Sequence, residues 1–536
     1  MRRPNIILIV SDEHRGDWMG CAGSTLVNTP HIDRMAQDGV QFRAAYCNAP
    51  LCVPSRMSLL TGTLPHHTDV FTNADYLGSD RPTFAHALAR AGYDTVLCGR
   101  MHFNGADQRH GFATRLVGDI TPSYPGGPAT EYGPLKGTAG QGMRSVLLAG
   151  PGNSPVIEYD LRVAAAAQEF MRERAQAAGG GGQEGQDRRD LRAAEQRGAR
   201  GHTDGPETAL DFGPGDLREV EHGDRPLFLT VGFYGPHHPY VAPPRMYAQA
   251  KAAMATAEPP ERAGKDMHPW LRDWFTRTHA DQLSDDQIRE ARTNYAGLVN
   301  QLDELVGRVV ESARQLPGDT VVVYLSDHGD MAGDNGMFWK RSMFEGATRV
   351  PLIWCPLKQD GLPVPMARGR VVEEPVSLVD IAPTLVSLGG APELPYQDGL
   401  DLSGLLTAEM DPGLVPALAG RPVFAELAGI ADGAVRMVRK GNFKLISYHG
   451  HERAQLFDVD RDPGEREDLA SDPRYADVYR ELLTDVSRDW DPDAVMAALA
   501  HRQRDQSYMA AWGGEVGMGR VDLWDEVPVG EDPARG

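Results

Sequence analysis

Short β-branched runs punctuate the first four hundred residues, and each ends in residues able to do chemistry. Ile6-Ile7-Leu8-Ile9-Val10 leads into Ser11-Asp12-Glu13, and Val321-Val322-Val323-Tyr324-Leu325 leads into Ser326-Asp327-His328. Thr95-Val96-Leu97 runs into Gly99-Arg100-Met101-His102, and Leu227-Phe228-Leu229-Thr230-Val231 runs towards Pro236-His237-His238-Pro239. Continuous apolar runs of this length predict strands buried on both faces, and the helix-like stretches 82–91 and 284–315 between them predict crossover helices. The expected fold is α/β, a large mixed, mostly parallel sheet sandwiched by helices. In such sheets a site forms beyond the carboxyl ends of the strands, where these four polar segments would meet.

The pattern changes twice. Between 172 and 224 four consecutive glycines and mixed charges show almost no apolar periodicity, which predicts a disordered surface insertion, a tolerated loop rather than a lid. After about residue 410 short strands are expected at 423–427, 435–438, 443–448 and 455–459, with Lys440-Gly441-Asn442 as a hairpin turn. Residues 473–488 predict an amphipathic helix beside them. The expected organisation is a large domain over 1–410, a small α+β subdomain over 411–493 and a tail over 494–536. That tail holds a predicted helix, Trp512-Gly513-Gly514 and Trp524, aromatics suited to packing on a neighbouring subunit or on the same chain.

A chain of 536 residues, 41% of them hydrophobic, can bury a large core. Its net charge of −21 argues against nucleic acid and anionic membranes as partners, so an anionic substrate would need a local positive pocket. The five cysteines, 21, 47, 52, 98 and 355, follow neither a zinc pattern nor a disulfide framework, and free thiols in a reducing compartment are expected. The apolar run after Met1-Arg2-Arg3-Pro4 is too short for a signal-peptide core, and no long apolar segment follows. The expected location is the cytoplasm.

Cys52 opens the run Cys52-Val53-Pro54-Ser55-Arg56-Met57-Ser58-Leu59-Leu60-Thr61-Gly62. Pro54 suits a first helical turn, so residue 52 should face backbone N–H groups that favour an anion, and Arg56 adds a fork of donors matched to tetrahedral oxyanions. Asp12, Glu13 and Asp327, with His328 beside them, form a donor set suited to calcium, magnesium or manganese, whereas zinc would want thiolates or several histidines. A cation there would neutralise a tetrahedral anion, with Arg56, Arg100, His102, His237 and Lys340 covering the remaining charge. Sulfuryl or phosphoryl transfer fits this set. A plain Cys52 thiolate with His102 or His237 as base is an alternative, but it leaves the acids at two strand ends without a role.

The Cys-x-Pro-Ser-Arg run with its Leu-Thr-Gly element resembles the signature of the formylglycine-dependent sulfatases of the alkaline phosphatase superfamily. Asp12-Glu13 stands at that family's paired metal acids, Asn28-Thr29-Pro30-His31-Ile32-Asp33 resembles its Thr-Pro-Asn-Leu-Asp element, and Asp327-His328-Gly329 its second metal motif. Leu456-Phe457-Asp458 with Asp462-Pro463 and Glu465 resembles its carboxy-terminal strand. Within the family the likeness is nearest to choline sulfatases and phosphonate monoester hydrolases, through 46–52, 82–86, 101–103 and 344–352. The resemblance implies that a formylglycine-generating enzyme oxidises Cys52 and that Asp12, Glu13, residue 52, Asp327 and His328 surround one divalent metal. It implies that Arg56 holds residue 52, that His237 and Lys340 serve the leaving oxygen, that His102 takes the proton as sulfate is expelled, and that Arg100 and Asn73 touch the substrate anion. The tail resembles the extension through which choline sulfatases associate, which implies a homo-oligomer.

Two positions depart from that pattern. Arg100 replaces a family Lys, and a planar fork is not equivalent to an ammonium. Over 122–152, where choline sulfatases place aromatics, this chain has Tyr124 and Tyr132 but no Trp, and Gln141-Gly142-Met143-Arg144-Ser145 is polar. That weakens choline and leaves room for a saccharide or other polar sulfate ester. The competing functions are a phosphonate monoester or phosphodiester hydrolase using the same site and a catalytically silent anion-binding protein.

Overall fold

The structure is a computed structural model that describes residues 3–120, 142–179, 225–258, 260, 267–361 and 365–517. The predicted buried strands are β1 (Asn5–Asp12), β3 (Asp94–Gly99), β5 (Leu227–Pro236) and β6 (Thr320–Ser326), joined in one eight-stranded sheet by β2 (Val40–Phe42), β4 (Thr114–Arg115), β7 (Leu352–Lys358) and β8 (Arg370–Val372). The strand order is β8-β2-β7-β6-β1-β5-β3-β4. β1 pairs in parallel with both β5 and β6, and β3 in parallel with β5, while β7 runs antiparallel to β6. The expectation of a mixed, mostly parallel α/β sheet therefore holds. Because β6, β1, β5 and β3 share one direction, their carboxyl ends lie along the same edge.

Strand alternation sends successive side chains to opposite faces, so the continuous apolar runs fill two cores at once. Ile6, Leu8, Val10, Val321, Val323 and Leu325 pack on one face with Val53, Met57, Leu59 and Leu60 of α2 (Cys52–Thr61). Ile7, Ile9, Val322 and Tyr324 pack on the other with Leu302, Leu305, Val306 and Val309 of the long helix α5 (Asp285–Ala313). That spacing of three and four residues is the stripe predicted for 284–315. Ser284 starts the helix with a capping box: its Oγ accepts from Gln287 N–H, and Gln287 Oε1 accepts from Ser284 N–H. Thr83 caps α3 (Phe84–Arg90) in the same way. Helix α1 (Pro30–Asp38) opens on the Thr29-Pro30 pair.

One boundary moves. Residues 172–179, assigned from composition to the insertion, are the last two turns of α4 (Pro155–Gly179). Arg174, among the charges that looked unstructured, is buried and bonded through Nη1 to Asp94 Oδ2 at 2.7 Å, so a specific ion pair supplies what apolar periodicity did not. The rest of the insertion, 180–224, lies outside the described residues, as do Tyr124, Tyr132 and Trp524.

The carboxy-terminal strands form an antiparallel meander, β9 (Val423–Gly429), β10 (Gly433–Lys440), β11 (Phe443–Tyr448) and β12 (Gln455–Asp458), with Gly441 in the left-handed region at the predicted hairpin turn. Helix α6 (Ala476–Val486) covers it through Leu482 and Val486. The tail helix α7 (Pro492–Val516), capped by Asp491, starts two residues before the expected start of the tail. Val495 and Leu499 pack on Phe71 and Ala428 of the same chain, while Tyr508, Trp512 and Val516 are exposed. Among the described residues no helix is long and apolar enough to cross a membrane.

Candidate active site

Residue 52 is the first residue of α2, as the Pro54 signal implied, and its side chain is buried, with 1% of the residue exposed. The Sγ lies 3.2 Å from His328 Nε2 and 3.7 Å from Asp12 Oδ1. His328 Nδ1 faces the carbonyl of Gly329 at 3.0 Å, so Nδ1 carries the proton and the Nε2 lone pair points at Cys52. His328 Nε2 is also 3.7 Å from both Asp12 Oδ1 and Asp327 Oδ2. The donor atoms of Asp12, Cys52, Asp327 and His328 all fall within 4.8 Å of one another. Two carboxylates and an imidazole lone pair converging in a dry pocket repel one another, and a divalent cation answers that repulsion. Glu13 Oε1 is buried with no hydrogen-bond partner among the described residues, but Glu13 falls in a separate group with His237 and His238. The residues present fit a metal ion.

Two arginines brace these acids from behind. Arg56 Nε donates to Asp327 Oδ2 at 2.8 Å, and its Nη2 lies 3.2 Å from Asp12 Oδ2. Arg100 Nε donates to Asp12 Oδ2, its Nη1 to Asp119 Oδ1 at 3.1 Å, and its guanidinium lies over the Tyr234 ring, 4.3 Å from the centroid. Burial works to raise the Asp12 carboxyl, and the combined fields of the charged groups Arg100, Arg56 and Lys340 outweigh it, holding the group well below the usual range. The unmodified Cys52 thiol is pushed up to about 12 by burial and by Asp12, the reverse of what thiolate catalysis requires.

His102, in the left-handed region at φ 56°, is fixed by its backbone N–H, which donates to Asp119 Oδ2 at 2.7 Å. Its Nδ1 sits 2.9 Å from Arg100 Nη2. A guanidinium only donates, so Nδ1 accepts and the neutral ring carries its proton on Nε2. Burial first, and Arg100 next, depress its pKa to about 3. Asn73 Oδ1 accepts from Val53 N–H at 3.0 Å, in the first turn of α2.

A second group gathers around Glu13. Lys340 Nζ is 2.6 Å from His237 Nε2 and 3.1 Å from Glu13 Oε2, and His238 Nδ1 is 3.2 Å from the same oxygen. His237 Nδ1 lies 2.6 Å from the carbonyl of His238 and must donate to it, which leaves Nε2 to accept from the Lys340 ammonium. Burial, His238 and Lys340 all favour the neutral imidazole of His237. Burial raises Glu13 to about 7 against the pull of Lys340. Glu13, expected beside Asp12 at the metal, thus points to Lys340 and the histidine pair: it is the next residue along, and its own φ of 72° turns the chain after β1.

The structure therefore brings Asp12, Cys52, Arg56, Arg100, His102, Asp327 and His328 into one contiguous network, with Glu13, His237 and Lys340 as a second. Sequence reading missed Asp119, which orients both Arg100 and His102, and gave His238 no role although it stands in the Pro-His-His-Pro run. Asp119 carries no local signal, since it follows an irregular segment after β4.

Strand-end acids, a helix-borne residue 52 and paired arginines on one sheet edge define an anion-processing hydrolase site. The chain belongs to the sulfatase family: residues 4–391 match the Sulfatase family and residues 333–489 match the N-sulphoglucosamine sulphohydrolase C-terminal family. It is 30% identical to the choline-sulfatase of Rhizobium meliloti (strain 1021) over 530 residues, covering 94% of this chain and 90% of that protein. The solved phosphonate monoester hydrolase of Agrobacterium radiobacter shares the fold at TM-score 0.63 and 21% identity, with 90% of this chain and 94% of that one covered. A structure in complex with its substrate D-glucosamine-2-N,6-O-disulfate matches at TM-score 0.61 and 19% identity, covering 95% and 99%. The protein is thus a sulfatase-family hydrolase with a buried Asp-Cys-Asp-His group fit for a metal.

Proposed function

We propose that the protein hydrolyses a sulfate monoester to an alcohol and sulfate, with Cys52 oxidised to formylglycine by a formylglycine-generating enzyme. One divalent cation, calcium or else magnesium or manganese, would be held by Asp12, Asp327 and His328 beside residue 52, with Glu13 available to it. The observation that carries this reading is the placement of Cys52 on the first turn of α2, its Sγ against His328 and Asp12 while Arg56 binds both Asp12 and Asp327.

Formylglycine supplies a hydrated aldehyde, one hydroxyl for attack at sulfur and another through which sulfate is released, and the cation lowers the charge of the oxygens around it. The chain's own residues do the rest. Arg56 and Arg100 supply the local positive field that a chain of net charge −21 needs to draw in an anion. Asn73 holds the first turn of α2 and reaches the substrate anion. Lys340, kept protonated among the anions that face it, gives its proton to the leaving oxygen, and neutral His237 accepts from it and steers the ammonium. His102 presents Nε2–H to the sulfate oxygens. It can take a proton from residue 52 only when its Nδ1 contact with Arg100 opens.

The ester class is a small-molecule or saccharide sulfate, and the cytoplasm is the proposed location, supported by five free cysteines, four of them buried. The test is turnover of 4-nitrophenyl sulfate against an aryl phosphonate monoester by protein produced together with a formylglycine-generating enzyme. The expected result is a higher kcat/KM for the sulfate and its loss in Cys52→Ala. Faster turnover of the phosphonate would assign the site to phosphonate monoesters instead.

A further inference from the structure

The loop from Asp330 to Arg341 carries Lys340 away from β6, and its geometry is costly. Trp339 and Arg341, on either side of Lys340, have φ values of 63° and 65°, a region that bulky L residues avoid. A lysine on such a segment holds one position only if other groups pin the chain. Backbone bonds hold it in part, from Met331 N–H to the Trp339 carbonyl at 2.8 Å and from Arg341 N–H to the Pro50 carbonyl at 3.1 Å, and one buried side chain adds to them. Asp330 Oδ1 accepts from the backbone N–H of Ala332 at 2.7 Å and from that of Trp339 at 2.9 Å, drawing the start and the end of the loop together. Its other oxygen, Oδ2, accepts from the hydroxyl of Tyr240 at 2.6 Å. Tyr240 follows His237-His238-Pro239, so the same carboxylate ties the segment bearing Lys340 to the segment bearing His237. Asp330 is wholly buried and reaches neither residue 52 nor the surrounding acids through any of these bonds.

We propose that Asp330 and Tyr240 are positioning residues that hold Lys340 and His237 in register for protonation of the leaving oxygen. This rests on the role given above to Lys340. A group 1 Å out of place weakens proton transfer far more than it weakens binding. The requirement for that proton depends on the leaving group: an alkoxide needs it, whereas 4-nitrophenoxide departs largely without it.

The experiment compares an alkyl sulfate with 4-nitrophenyl sulfate in wild type, Tyr240→Phe, Asp330→Asn, Asp330→Ala and Lys340→Ala, all matured with the formylglycine-generating enzyme. Tyr240→Phe keeps the ring and removes only the bridging hydroxyl, so it tests the tie without emptying the core. The expected result is a fall in kcat of about tenfold or more on the alkyl sulfate for Tyr240→Phe, with KM little changed and less than threefold loss on the aryl sulfate. Asp330→Ala should widen that gap. Asp330→Asn, which keeps an acceptor for Ala332 and Trp339 and offers an amide to Tyr240, should recover part of it. Equal losses on both substrates in Tyr240→Phe and Asp330→Ala, with Lys340→Ala still selective for the aryl sulfate, would overturn the positioning role alone. Equal losses in Lys340→Ala as well would overturn the role of Lys340 on which it rests.

Discussion

Arg56 Nε lies 2.8 Å from Asp327 Oδ2, and both side chains are fully buried. The bond joins the helix that starts at residue 52 to the end of β6, 271 residues away in sequence. Ser55 Oγ adds a second tie to the Asp327 carbonyl. Residue 52 therefore cannot move relative to the strand-end acid without breaking a charged hydrogen bond in a dry interior.

Arg56→Lys should be far from conservative. An ammonium cannot serve Asp327, Asp12 and the carbonyl of Arg100 together, as the three nitrogens of the fork do. The expected outcome is a loss in kcat/KM of about a hundredfold with an unfolding free energy lower by about 2 kcal/mol, checked by steady-state kinetics and urea denaturation.

Removal of the cation should separate binding from folding. Chelation is expected to abolish turnover, and titration with calcium, manganese or magnesium to restore it, with about one ion per chain by elemental analysis. Asp327→Asn keeps the shape and removes a charge, so its affinity for the ion should fall by about tenfold or more. Full activity after exhaustive dialysis against a chelator, with no ion bound, would contradict the assignment.

The carboxy-terminal meander is anchored by a lysine between two acids. Lys444 Nζ, on β11, lies 3.0 Å from Glu345 Oε1 and 2.6 Å from Glu465 Oε1, all three buried. Lys444→Met should leave two carboxyls facing each other and cost about 3–5 kcal/mol at pH 8. The loss should shrink at pH 6, because burial already raises Glu465 to about 7 and its protonation relieves the repulsion. Equilibrium unfolding at the two pH values measures both.

His14 gives the fold an acid limit. It is fully buried, with Nδ1 2.6 Å from Tyr324 Oη and Nε2 2.9 Å from the Trp18 carbonyl, an arrangement satisfied by the neutral ring. Burial lowers its pKa from 6.5 to about 4. The unfolded chain thus binds the proton more readily, so the contribution is complete above pH 6.5 and is lost as pH falls towards 4. At pH 5 the loss amounts to about 2 kcal/mol relative to pH 7.5. His14→Gln should flatten that part of the stability profile, and an unchanged slope would show that other groups set it.

The strands, the crossover helix over 285–313 and the residue 52 helix were legible in the sequence because each rests on local signals: unbroken apolar runs, a capping box, a proline in a first turn. The strand-end residues Asp12, Arg100, His237 and Asp327 followed from topology once the sheet was read as parallel. The partition of Glu13 from Asp12 did not, since it depends on one left-handed φ and on Lys340, 327 residues away. Asp119, Tyr240 and Asp330 act through backbone N–H groups and hydroxyls that tertiary structure alone brings together. The end of α4 was misread because Arg174 is buried by an ion pair that composition does not reveal.

The proposed mechanism requires residue 52 to be an oxidised cysteine placed to attack sulfur. Mass spectrometry of the peptide spanning Cys52, from protein made with a formylglycine-generating enzyme, reads this modification. The expected result is the aldehyde or its hydrate at residue 52, in a fraction of chains that tracks specific activity towards the sulfate ester. An unmodified thiol in fully active protein would contradict it.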